Sequence, residues 1–143
     1  MLSNEYSAGL FDGEGCISIN KTKGSKNNPY TRPGFQLRVS VTNTNIDVLN
    51  FLQKTYGGKV YIREKKNARN YGNWITVSNQ CVEPLTLWTP HLIIKKEQAS
   101  VALEFQSNRK TKKTDEEWQY DFNAYEKIRK LNARYGSEYY KSS

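Results

Sequence analysis

Asp12 and Glu14 are the residues whose type and spacing could do chemistry. They stand two apart, each followed by glycine, in Tyr6-Ser7-Ala8-Gly9-Leu10-Phe11-Asp12-Gly13-Glu14-Gly15. Directly after comes Cys16-Ile17-Ser18-Ile19-Asn20, which alternates like a strand. The stretch therefore reads as a short helix stopped by glycine, with carboxylates at its tip. A helix C-terminus carries partial negative charge, so two acids there cost stability unless a cation compensates. A divalent metal would do so. Gly9 and Gly13 share one helical face and would let another backbone approach closely, although each costs roughly 0.5–1 kcal/mol against alanine. The alternative is an ordinary amphipathic helix with a glycine C-cap; the stretch alone leaves both open.

Other reactive residues form weaker patterns. Glu64-Lys65-Lys66 fits the E-x-K half of a PD-(D/E)xK nuclease site, with Asp47 upstream, but Asp47 falls inside a helical pattern rather than on a strand. His91 is the sole histidine; following Pro90, it reads as a packing or capping residue. Cys16 and Cys81 lie far apart in apolar-rich stretches and read as reduced, buried thiols of an intracellular protein. One histidine and two cysteines do not make a zinc site.

The 143 residues suffice for one domain with a real core, to which ten Tyr, five Phe and three Trp bring apolar area. No run is apolar enough to span a membrane, and the N-terminus does not read as a signal peptide. Net charge is +8, and its placement is one-sided: residues 15–82 hold eleven Lys or Arg against Asp47 and Glu64, whereas the remainder is close to balanced. No acid occurs between Gly15 and Ile46. A field of one sign suits a polyanion, and nucleic acid is the leading candidate.

The elements that must position these residues follow from periodicity and breakers. A helix is expected from Asn4 to Gly13, capped by Ser3 or Asn4, then strands over about Cys16–Thr22 and Phe35–Thr42 around a basic loop. A second helix starts at Asn43-Thr44-Asn45 and stops at Gly57-Gly58. Strands over Lys59–Glu64 and Asn73–Ser78 flank another basic loop; the apolar Trp74, Ile75 and Val77 leave the facing of the latter strand ambiguous. Helices follow over Val82–Trp88 and Ile94–Gln106. After the basic linker Arg109–Lys113, a last helix opens on the capping box Thr114-Asp115-Glu116-Glu117 and stops at Gly136. This is an α+β chain in which a helix and a hairpin occur twice, packing as a four-stranded antiparallel sheet with helices on one face. The other face would carry Ser18, Asn20, Thr22, Gln36, Arg38, Ser40, Tyr61 and Arg63, a polar, basic surface suited to a DNA groove. Lys23, Lys26, Lys65, Lys66 and Arg69, in the loops, would contact phosphate.

Ser7-Ala8-Gly9-Leu10-Phe11-Asp12-Gly13-Glu14-Gly15 resembles the motif of the LAGLIDADG homing endonucleases. Ala8, Gly9, Leu10, Asp12 and Gly15 match it letter for letter, and Glu14 replaces the second Asp by another carboxylate. Ser7, Phe11 and Gly13 depart from the letters, Phe11 remaining apolar and Gly13 small. The element order matches too, so the resemblance covers about residues 3–106. It implies an αββαββα core with a saddle-like antiparallel sheet, in a single domain over 1–143, and a C-terminal helical extension over about 114–136.

The family builds its site from two motif helices at a twofold or pseudo-twofold axis, each giving its final carboxylate to bound magnesium. This chain has one motif; the second helix ends at Tyr56-Gly57-Gly58 with no acid. The resemblance thus implies a homodimer on a long, pseudo-palindromic double-stranded DNA target, with Ala8, Gly9 and Gly13 at the seam. Glu14 of each copy would hold Mg²⁺, with the Gly13 carbonyl as a further ligand, for phosphodiester hydrolysis. The metals would offset the gathered acids, and Asp12 is expected to be structural. Asn43 would order solvent near the metals and Lys95 would lie near the scissile phosphate, with Lys96 as its alternative; the plain readings are a helix-start residue and a solvated first turn. No membrane or small-molecule cofactor is implied, and the compartment is a prokaryotic cytoplasm or an organelle. The competing reading is a non-cleaving nucleic-acid-binding protein of the same fold, a maturase or regulator.

Overall fold

The computed structural model describes residues 2–23, 33–109 and 114–141, with side chains up to 133. Lys26, the rest of the first basic loop from 24 to 32, and the linker residues 110–113 lie outside them. Ser3 caps the first helix, α1 (Asn4–Glu14), its hydroxyl accepting from the Tyr6 N–H. Strand β1 (Gly15–Lys21) leaves at once, followed by β2 (Phe35–Asn43). Helix α2 (Ile46–Tyr56) starts at Asn45, whose side chain accepts from the Val48 N–H. It stops where Gly57 and Gly58 take φ of 80° and 87° and turn the chain into β3 (Lys59–Arg63). Strand β4 (Tyr71–Val77), α3 (Val82–Trp88), α4 (Lys96–Ser107) and α5 (Asp115–Lys141) complete the order.

The sheet runs β1-β2-β4-β3 with antiparallel neighbours throughout. Opposed residues of antiparallel strands share a face. Ile17 opposite Val39, Ile19 opposite Leu37, and Val41 opposite Trp74 are all buried against the helices. The ambiguity of β4 is resolved by this register: Trp74 and Thr76 point inward, Ile75 and Val77 outward.

Two aromatic clusters hold the helices to the sheet. Trp88 of α3 lies 4.8 Å from Phe11, 5.1 Å from Tyr56 and 5.9 Å from Trp74, ring centre to ring centre. Phe35 packs on Trp118, Phe122 and Tyr125 of α5. Ile128, 1% exposed, joins the same core, so α5 is integral to the fold that the sheet begins. The helix continues through Gly136 to Lys141; one glycine lowers helix propensity by about 1 kcal/mol and does not end a helix that its flanking residues sustain.

Cys16 is exposed, contrary to expectation, because it alternates with the inward Ile17 and falls on the open face of the sheet. Cys81 is buried as expected. Desolvation pushes its thiol up to about 11, against hydrogen bonding from Thr76. His91 is exposed at the end of a short 3-10 turn, 3.9 Å from Glu5.

Candidate nucleic-acid interface

The open face of the sheet is built from alternate strand residues. Cys16, Ser18 and Asn20 stand opposite Ser40, Arg38 and Gln36; Ser40 and Arg38 stand in turn opposite Ile75 and Val77. Tyr61 and Arg63 of β3 oppose Asn73 and Tyr71. The predicted face residues are therefore brought together, and Thr22 follows at the end of β1, where its N–H bonds to Gly34. Asn20, Gln36, Arg38, Tyr61, Arg63, Ile75 and Val77 line one depression of about 300 Å³. None of the four strands contains a carboxylate. Tyr71, Asn73, Ile75 and Val77 were not expected there; the register supplies what their own alternation did not. Lys23, Lys65, Lys66 and Arg69 are exposed in the flanking loops. The Lys65 ammonium lies 5.0 Å from the Tyr71 ring centre.

At one edge of this face α1 delivers its acids. Period 3.6 turns Ser7, Ala8, Phe11 and Asp12 inward and leaves Tyr6, Gly9 and Gly13 outside. Ala8, expected on an outer seam, is 0% exposed and belongs to the chain's own core, because it lies one turn before Phe11 and Asp12 on the inner stripe. A Cβ built on Gly9 or Gly13 meets nothing within 4 Å. At Gly15 the situation is reversed. A Cβ there would run into the buried Phe11 ring and stand 2.7 Å from the Phe11 carbonyl, so only glycine lets the chain pass from helix to strand. Its backbone is extended rather than left-handed, with φ −90° and ψ 172°; the requirement is for space.

Asp12 points into the protein. Its carboxylate accepts from the backbone N–H groups of Ile93, Ile94 and Lys95, at 2.9–3.0 Å, just before α4 begins. Burial opposes its charge, but the hydrogen bonds from Ile94, Lys95 and Ile93, with the nearby Lys95 ammonium, outweigh that and hold the carboxyl below its ordinary value. The Lys95 Nζ in turn donates to the Asp12 carbonyl at 2.7 Å. A cation thus sits at the C-terminal end of α1, and part of the compensation expected from metal comes from the protein itself. Helix α4 begins at Lys96, two residues later than expected, because Ile93–Lys95 is drawn to Asp12.

Glu14, by contrast, is exposed at the last residue of α1. Gly13 and Lys95 share a cleft of about 320 Å³ with Asp12, Gly15, Cys16, Ile94, Gln98 and Asn132. Asn132 is a site neighbour that the sequence did not signal, since it comes from distant α5. Asn43 is the last residue of β2, and its Oδ1 accepts the Asn45 N–H at 2.8 Å, closing the turn into α2. Among the described residues no group of three or more His, Cys, Asp or Glu is arranged to hold a metal. At the tip of α1 one copy presents one exposed carboxylate, Glu14, next in sequence to the Gly13 carbonyl. That donor set is oxygen alone, which fits a hard cation that keeps its waters and shares other ligands. Asp47, in the first turn of α2, and Glu64, beyond β3, lie on separate elements.

A model of the LAGLIDADG endonuclease family matches residues 7–86, from the motif through four strands and into α3. No curated protein matches the chain. Among solved structures, I-CvuI in complex with its target in the presence of Ca aligns over 90% of this chain and 80% of that one, with TM-score 0.74 and 20% identity. The same enzyme has been solved on a further target with Mg, the DNA not cleaved. The homing endonuclease I-TnaI aligns over 93% of this chain and 97% of that one, with TM-score 0.67 and 16% identity. I-SmaMI, bound to an uncleaved DNA target with calcium, aligns over 95% of this chain but only 49% of that one, with TM-score 0.72 and 18% identity. These likenesses carry the fold, and the family model, reaching across more than half of the sequence, carries the kinship: this chain belongs to the LAGLIDADG homing endonuclease family.

Proposed function

We propose that the protein is a site-specific DNA endonuclease that works as a homodimer and depends on a divalent metal, Mg²⁺ by preference. The observation that carries this reading is the placement of the exposed Glu14 at the border of a sheet face free of carboxylate. Duplex DNA laid on that face meets Arg38, Arg63, Gln36 and Asn20 as donors and acceptors for base edges, and Ile75 and Val77 as apolar contacts for thymine methyl groups. Lys23, Lys65, Lys66 and Arg69 neutralise phosphates, and Lys26 has the same role by its position in the sequence.

Glu14 and the Gly13 carbonyl would hold the metal, which when bound supplies charge neutralisation and an activated water for phosphodiester hydrolysis. Because one copy contributes one such carboxylate, the site is completed by Glu14 of a second copy related by a twofold axis. This chain spans 49% of the length of I-SmaMI, so a pair of copies would match that protein in size. The Lys95 ammonium, held beside Gly13 by the Asp12 carbonyl, stabilises negative charge developing on the scissile phosphate. Asn43 positions solvent from the end of β2.

The test is replacement of Glu14 by Gln, which keeps shape and removes charge. Cleavage of a duplex library with Mg²⁺ should fall by at least about a hundredfold, because the metal's stabilisation of the transition state is lost with its carboxylate ligand, while duplex binding persists. Cleavage by E14Q at the wild-type rate would place the chemistry elsewhere. A wild-type protein that binds duplex and never cuts with any divalent metal would instead be a non-cleaving member of the family.

A further inference from the structure

Helix α5 is polarised in charge. Asp115, Glu116, Glu117, Asp121 and Glu126 occupy its first half, and Lys127, Arg129 and Lys130 follow. Such an order suits the helix dipole by itself, but the basic part also has a definite neighbour. Among the described residues strand β1 is an edge strand, paired with β2 alone, and α5 lies along it. The Asn132 amide donates to the Ile17 carbonyl at 2.8 Å, which fixes the helix to the strand. Between them runs a groove of about 340 Å³ lined by Ser18, Asn20, Lys21, Tyr125, Arg129 and Asn132.

Two features give this groove a partner. The first is charge: Lys21 and Arg129 line it with no carboxylate among the lining residues. The Arg129 guanidinium lies over the Tyr125 ring, 5.4 Å from its centre and 3.4 Å from its hydroxyl, and reaches a carboxylate of Glu126 only at 3.8 Å on an exposed surface. An exposed pair at that distance contributes little and leaves the guanidinium available. The second is continuity. Ser18 and Asn20 belong both to the open face of the sheet and to the groove, and Asn20 lines the central depression as well.

We propose that the α5–β1 groove is a second, sequence-independent DNA contact. In it Lys21 and Arg129 take the phosphodiester backbone of the duplex whose bases face the sheet. The inference rests on the reading of that face as the DNA surface. A planar guanidinium backed by an aromatic ring suits bidentate phosphate recognition, and Ser18 and Asn132 provide further polar atoms.

The experiment is equilibrium binding to a duplex of random sequence, followed by fluorescence anisotropy without divalent metal, across a salt series. Each phosphate contact contributes about 0.9 to the slope of log affinity against log salt. Arg129→Gln with Lys21→Gln should lower the slope by about 1.8 and Arg129→Gln alone by about 0.9, while Arg129→Lys should keep the wild-type slope. Circular dichroism melting establishes that each variant is folded. A steep wild-type slope that the double variant leaves unchanged overturns the groove contact and leaves the sheet face standing. A wild-type protein with no salt-dependent affinity for duplex overturns both.

Discussion

Asp12 and Glu14 differ by two positions and by everything around them. The Asp12 carboxylate is enclosed by three backbone N–H groups of Ile93, Ile94 and Lys95, while Glu14 is exposed one half-turn on. Asn at position 12 keeps one acceptor oxygen but loses the charge that all three donors address. Hydrogen bonds to a charged group are worth roughly 1.5–3 kcal/mol, so Asp12→Asn should lower unfolding free energy by about that much near neutral pH, read from a urea titration. The pH dependence has a sign. The folded carboxyl titrates below its ordinary value of 3.8, so its contribution is full above that value and is lost as pH falls through the lower folded one. Wild type should therefore lose stability in that acid range more steeply than D12N. Equal midpoints for the two at pH 7 would mean that the loop before α4 does not depend on Asp12. Because the same carboxylate draws in Lys95, D12N should also slow cleavage.

At the scale of the element, α1 ends where Phe11 leaves no room for a side chain at Gly15. The Phe11 ring is fully buried and in contact with Trp88, so it has nowhere to move. Gly15→Ala should cost about 1–3 kcal/mol, as overpacking does, visible as a lower denaturant midpoint; an unaltered midpoint would mean the ring yields. Much of this helix and its sheet was legible beforehand, because alternation in β1 and β2 and the Gly57-Gly58 stop are local signals. The open face was legible as far as those strands reached. The facing of β4 was not, since Trp74, Ile75 and Val77 are all apolar and only pairing with β2 separates them. Ala8 was misplaced because small size suggested a seam, whereas its position on the wheel set its burial. Asn132 and Arg129 were invisible as site neighbours for a different reason: nothing local announces that α5 will lie along β1, more than a hundred residues away.

At the scale of the whole molecule, the outer face of α1 is largely uncovered among the described residues, with Glu5 meeting only His91, at 3.9 Å. Tyr6 is 56% exposed, and Gly9 and Gly13 have open space where a side chain would begin. Glycines inside a helix cost roughly 0.5–1 kcal/mol each, and one copy of the chain makes no use of the space they leave. In a twofold pair that space admits a second α1 and brings the two Glu14 carboxylates together. Gly9→Leu tests this directly, since a Cβ there meets nothing within 4 Å in the single copy. The variant should fold with the wild-type circular dichroism spectrum and sediment as a monomer, whereas wild type should sediment as the proposed dimer. Dimerisation adds to apparent stability by mass action, so the wild-type melting temperature should rise with protein concentration and that of G9L should not. Cleavage should fall with the dimer, while each monomer still binds duplex in a salt-dependent way. If G9L dimerises as tightly as wild type, the seam lies elsewhere, and the pairing of Glu14 across α1 goes with it.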